Sequence, residues 1–125
     1  MPYPLNQRLR DIKKAIEYAL TFVADTHESD FLEDMKTQSA VERQLEIIGE
    51  ASNQIIKKYK KFCQENQTVP WEELRGLRNL VSHEYFRHEN IFEIWEATTE
   101  TLPMLHHQID VLIDKALEFE KNQNP

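Results

Sequence analysis

Residues 37–62, TQSAVERQLEIIGEASNQIIKKYKKF, decide the fold. Val41, Leu45, Ile48, Ser52, Ile55 and Tyr59 recur at alternating steps of four and three. A helix turning about 100° per residue gathers those positions on one face, the seam of a helix packed in a bundle. Ile47, Ala51 and Ile56 widen the seam, which predicts neighbours on two sides. Gly49 and Ala51 in its middle permit a close crossing by another helix. Glu46 and Glu50, one turn apart, could form a carboxylate pair; a charged flank on an otherwise apolar helix explains them more simply.

The chain on either side reads as more helix. Before it, Leu9, Ile12, Ile16, Leu20 and Val23 form one apolar stripe over about 6–24, with Asn6 as the expected N-cap. His27, Glu28, Ser29 and Asp30 read as a turn, with Ser29 or Asp30 capping a short helix through Phe31, Leu32 and Met35. Residues 64–70 form the clearest loop, and Pro70 suits the start of a helix carrying Trp71, Leu74 and Leu77. Arg87, His88, Glu89 and Asn90 read as a short connection. A last helical region over about 91–120 places Trp95, Leu102, Leu105, Ile109, Leu112, Ala116 and Phe119 on its apolar side, and Pro103 should break or kink it near Thr101 and Leu102. The expected architecture is all-α, a four- to five-helix up-and-down bundle. It forms one domain over 1–125, with its core at about 6–120 and a frayed tail at 121–125.

Composition agrees. The chain has 125 residues, enough for one packed core, with 40% hydrophobic and 30% charged residues. Two glycines and five prolines argue against a sandwich or barrel, which needs many turns. No apolar run reaches the length of a membrane span. The first residues lack the charged start and apolar middle of a secretory signal. The single cysteine, Cys63, excludes an internal disulfide and suits a reducing cytoplasm, the expected location. A net charge of −7 counts against a general nucleic-acid coat but leaves room for a local basic cleft. Arg75, Arg78, Arg87 and His88 cluster around one segment, whereas Lys57, Lys58, Lys60 and Lys61 read as a solvated helix end.

That basic segment runs over 76–86 and contains Arg78, Asn79, His83 and Tyr85, with Leu77, Leu80, Val81 and Phe86 to anchor it on a core. Arginine is permanently charged and forks onto phosphate oxygens, so it can bind a scissile phosphate and stabilise the charge of its transition state. Histidine titrates near neutrality and can take the proton of a ribose 2′-OH or give one to the leaving 5′-oxygen. Such cleavage needs no metal, because the 2′-OH is an internal nucleophile. Asn79 could orient the phosphate or the imidazole, and Tyr85 could add a hydrogen bond or a stacking face. In a continuous helix Arg78 and His83 would point roughly 140° apart. Either the helix ends or loosens around 82–85, or Arg78 lines a wider cleft made with another subunit. The same residues also fit an ordinary helix end, with arginine capping carbonyls and an exposed histidine.

Other candidates are weaker. His106 and His107 are adjacent and diverge on a helix; His83 and His88 have no carboxylate set beside them, so no metal site is expected. Cys63 has no paired cysteine or neighbouring histidine and receives no nucleophilic role. Trp71 and Trp95 read as core or interface anchors rather than base-stacking platforms.

The segment Arg78-Asn79-Leu80-Val81-Ser82-His83-Glu84-Tyr85-Phe86 resembles the signature of HEPN-domain ribonucleases of the HepT-like branch. The resemblance extends over about 8–113. It includes residues 43–51, the Val69-Pro70-Trp71 step before the motif, and Ile94-Trp95 with Leu102-Pro103 after it. It implies an all-helical homodimer whose two motifs face a shared cleft and cleave RNA without metal or cofactor. It further implies a toxin paired with a minimal nucleotidyltransferase antitoxin of the MntA type. By position, Arg78 and His83 become the catalytic pair, Asn79 a polar neighbour, and Tyr85 the tyrosine to which the partner adds AMP. Arg75 and Arg87 are the expected further contacts to RNA. From a different class, a noncatalytic nucleotide-binding or regulatory subunit of a nucleotidyltransferase also fits, as does a purely structural bundle.

Overall fold

The computed structural model describes residues 3–81 and 87–123, and the side chains of residues 87–89 lie outside that description. The described chain is helical throughout: α1 (Leu5–Val23), α2 (Glu28–Leu32), α3 (Met35–Lys58), α4 (Lys60–Glu65), α5 (Trp71–Val81), α6 (Arg87–Glu96), a π-helical turn (Ala97–Thr101) and α7 (Leu102–Gln123). The all-α bundle is therefore as expected, its long helices joined by two short ones. α3 is the central element. It packs on α1 along one side and on α5 along the other, as its double-width seam requires, and α1 packs on α7.

The core forms where the stripes meet. Leu9, Ile12 and Ile16 of α1, Leu45, Ile48 and Ile55 of α3, and Leu102, Leu105 and Ile109 of α7 are all but sealed from solvent. Each contributes about 1.5–3 kcal/mol relative to an exposed position. Aromatic rings close the two ends: Phe31 packs on Trp95 with centroids 5.0 Å apart, and Phe62 meets Phe119 edge-on at 5.5 Å. The anchor role expected of both tryptophans holds. Trp71 is buried with its indole N–H donating to the Asn66 carbonyl at 3.1 Å.

Several boundaries differ from the sequence expectation, each for a physical reason. Asn6 is not the N-cap: Pro4, extended at φ −64° and ψ 149°, precedes the first turn. Asn6 sits inside that turn, where its backbone N–H and its amide donate to the two oxygens of Glu120 at 2.7 and 2.9 Å. A carboxylate from the far end of the chain thus satisfies an otherwise unpaired first-turn N–H. α2 starts at Glu28 with His27 as its cap residue, so neither Ser29 nor Asp30 caps it. The helix expected over 37–62 begins two residues earlier, because Asp34 accepts from the Thr37 N–H, and the bonds from the Thr37 hydroxyl and N–H hold the Asp34 carboxyl below its usual range. It breaks at Tyr59 (φ −131°, ψ 51°) into α3 and α4. Residues 87–90 are the first turn of α6 rather than a connection, and α7 continues past 120 to Gln123.

Pro103 perturbs the last helix where expected. It has no N–H to close an α-turn, and the helix widens just before it, with the Leu102 N–H reaching back to the Ala97 carbonyl. Thr98 and Thr99 donate their hydroxyls to the Ile94 and Trp95 carbonyls, both at 2.8 Å. No described helix is long and apolar enough to cross a membrane.

Candidate functional site

α5 carries the first half of the motif. Its start is set by Pro70, whose carbonyl accepts from the Leu74 N–H at 3.0 Å. Burying Trp71, Leu74 and Leu77 against the core turns Arg78 and Asn79 outward. The height of Arg78 above α3 is then decided by Gly49. A methyl group built on Gly49 would lie 2.7 Å from the Arg78 backbone nitrogen and 3.0 Å from its Cβ. The two backbones touch there, so the close crossing foreseen from Gly49 occurs at the arginine of the motif.

The residue after Gly49 completes the arrangement. Glu50 extends from α3 to the Arg78 guanidinium and pairs with it through Nη1, with its second oxygen 3.3 Å from the same nitrogen. Both side chains are about half exposed, so the pair adds only about 0–1 kcal/mol to stability. Its effect is directional. Both contacts leave from Nη1, which orients the guanidinium plane from one end and keeps Nε and Nη2 outside the carboxylate's grip.

The far side of the motif is tied to the same helix. The Asn90 amide in α6 donates to the Leu80 carbonyl in α5 at 3.2 Å, pinning together the described ends that flank residues 82–86. Glu73 accepts from the Thr101 hydroxyl at 3.0 Å, which anchors the π-turn to α5. α5 is thereby held from three directions.

Of the residues expected in the site, the structure brings together Arg78 and Asn79, side by side on the outer face of α5, with Arg75 one turn before them. Arg75 forms an exposed pair with Glu72 on its own helix. His83 and Tyr85, and the expected loosening of the helix at 82–85, lie outside the described residues, as does the side chain of Arg87. The reading of Glu50 as a mere charged flank is corrected: it does not pair with Glu46, which binds Arg43, but grips Arg78. No sequence signal could have found this contact, because the partners are 28 positions apart.

The surroundings are polar. A groove of about 470 Å³ between α1 and α3 is lined by Glu50, Arg43, Gln54 and Arg8, whose guanidinium lies 4.9 Å from the centre of the Tyr3 ring. A second pocket of about 490 Å³ holds Cys63. Burial pushes that thiol up to about 11, which keeps it protonated and unreactive near neutral pH. Among the described residues no three His, Cys, Asp or Glu side chains gather as metal ligands. His106 faces Glu17 at 3.1 Å.

Comparison with known proteins agrees with the family resemblance. A family model described as Ribonuclease HepT-like matches residues 12–112. The chain is 38% identical over 104 residues to the "Probable ribonuclease HepT" of Thermococcus cleftensis, covering 83% of this chain and 91% of that one. It is 33% identical to a candidate RNase of Methanocaldococcus jannaschii, over 83% of this chain and 92% of the relative. A candidate RNase of Caldanaerobacter subterraneus subsp. tengcongensis is 34% identical over 86% and 92%. No solved structure matches. The chain belongs to the HepT-like ribonuclease family.

Proposed function

We propose, from that membership and from the placing of Arg78, that the protein is a metal-independent endoribonuclease acting through Arg78 and His83. The observation that carries the reading is the fixed, outward guanidinium. Its backbone is seated on Gly49 and its Nη1 is held by Glu50, so the rest of the fork is available for a phosphate. A bidentate contact there suits both the scissile phosphodiester and the extra charge of its transition state. His83, five residues on, removes the 2′-OH proton. The 2′-oxygen attacks phosphorus, the bond to the 5′-oxygen breaks, and that oxygen takes a proton from the His83 imidazolium as it leaves, giving a 2′,3′-cyclic phosphate and a 5′-hydroxyl. Asn79, beside Arg78, supports the phosphate, and Arg75 and Arg87 extend the contact to flanking nucleotides.

The finer reading follows the same family. The protein acts as a homodimeric toxin, with the motif of each subunit facing a shared cleft. A partner nucleotidyltransferase of the MntA type neutralises it by adding AMP to Tyr85. The adduct places bulk and negative charge within seven residues of Arg78 and repels RNA phosphate.

Expression of the chain alone should arrest growth, and purified protein should cut single-stranded RNA in the presence of EDTA. Arg78→Ala and His83→Ala should abolish both effects. Unchanged toxicity in the His83 variant would remove histidine from the mechanism and favour a noncatalytic regulatory subunit. Intact-mass measurement after incubation with the partner and ATP should show AMP on the wild type but not on Tyr85→Phe. Labelling of Tyr85→Phe would place the modification elsewhere.

A further inference from the structure

Arg78 is a long side chain on a solvent-facing helix surface, and left to itself it would sample many rotamers. Holding such a chain in one geometry costs side-chain entropy. A site that must present a fork to a phosphate gains if that ordering precedes substrate binding. Two features of α3 supply it. Gly49 sets where the Arg78 backbone lies, and Glu50 sets where the guanidinium points.

Two roles for such a carboxylate can be separated by geometry. A competitor of the phosphate would cover the bidentate edge of the fork, the Nε and Nη2 side, and substrate would have to displace it. In this structure both carboxylate contacts converge on Nη1. Phosphate can therefore approach through the remaining donors while the Glu50 contact stays in place. The negative charge of Glu50 does oppose the phosphate, but both members of the pair are about half exposed, where solvent weakens that repulsion.

We infer that Glu50 is a positioning residue for RNA cleavage, a carboxylate that orients the Arg78 guanidinium from behind and remains in contact with it while the scissile phosphate is bound. The inference rests on the ribonuclease reading above and assigns Glu50 no contact with substrate. The acceptor oxygen matters more than the charge, because what it supplies is a hydrogen bond of fixed direction.

The test is steady-state cleavage of a single-stranded RNA by the full chain, comparing wild type, Glu50→Ala, Glu50→Gln, Arg78→Ala and, as a distant ion-pair control, Asp110→Asn. Glu50→Ala should lower kcat roughly ten- to a hundredfold, the scale of a misplaced catalytic group, with KM changed far less. Glu50→Gln keeps an oxygen at the same reach and should recover most of the rate. Asp110→Asn should match wild type. A wild-type kcat in Glu50→Ala, or a rate raised through a lower KM, would overturn the inference and make Glu50 a competitor or a bystander. A Gln variant as slow as the Ala variant would overturn the hydrogen-bonding role. If instead Arg78→Ala cuts as well as wild type, the ribonuclease reading of the motif has failed, and the two failures are told apart.

Discussion

The α3–α5 crossing and the α1–α7 seam are both helix pairs, yet they tolerate change very differently. At the crossing, backbone meets backbone, and a single methyl group on Gly49 would come within 2.7 Å of Arg78. At the seam, apolar stripes fill the interior and polar pairs dress the rim: Lys13 with Asp110 at 2.8 Å and His106 with Glu17 at 3.1 Å. Solvent-exposed pairs of that kind are individually dispensable, since water replaces either partner at little cost. A close backbone contact has no such substitute. The molecule thus places its least forgiving contact beneath the residue that would bind phosphate, and its most forgiving contacts on the opposite side of α3.

Substitutions at these places test the contrast. The largest effect should come from Arg78→Ala, which removes the phosphate-binding fork. RNA cleavage should fall roughly a hundred- to a thousandfold, the loss typical of a transition-state donor, while the melting temperature stays near wild type. A large drop in melting temperature would make Arg78 structural and dissolve the contrast. Gly49→Ala comes next. In an ordinary helix interior the change stabilises by about 1 kcal/mol, but overpacking costs about 1–3 kcal/mol. The expected result is lower stability in chemical denaturation together with slower cleavage, as Arg78 is pushed off α3. Gly76, inside α5, has nothing within 4 Å of a built Cβ, so Gly76→Ala should stabilise by up to about 1 kcal/mol. Equal behaviour of the two alanine variants would show that the crossing is looser than its geometry.

The seam should show the smallest effects. The Asp110 carboxyl is held below its usual range by Lys13, but Asp110 is exposed and Lys13 partly so, and Asp110→Asn should leave the melting temperature unchanged within error. Cys63 offers a check on burial. Burial raises its thiol to about 11, so at pH 8 alkylation of the folded protein should run far slower than that of the denatured chain, and should accelerate as pH rises toward 11. Fast labelling at pH 8 would mean that the α4 end opens readily.

Much of the bundle was legible because helix packing is written in local periodicity. The double-width stripe on residues 37–62 announced two neighbours, and α1 and α5 are those neighbours. Gly49 announced a close crossing, and Pro103 a disturbance of the last helix, which widens into a π-turn there without breaking. The boundaries were less legible where partners lay far along the chain. Asn6 has every property of a cap residue, but Glu120, 114 positions away, draws it into the first turn instead. The break at Tyr59 has no proline or glycine to signal it. In the site, Arg78 could be singled out by residue type and spacing, whereas Glu50 had the look of a charged flank until α5 was laid across α3.

The sequence alone determined that the chain is an all-helical bundle carrying the HepT-like motif, because period and residue type are local properties that survive without coordinates. Only the tertiary structure decided which carboxylate faces Arg78 and which residue sets its height. Those are pairings between segments 28 or more positions apart, and they exist only once burial of the two apolar stripes has brought α3 and α5 into register.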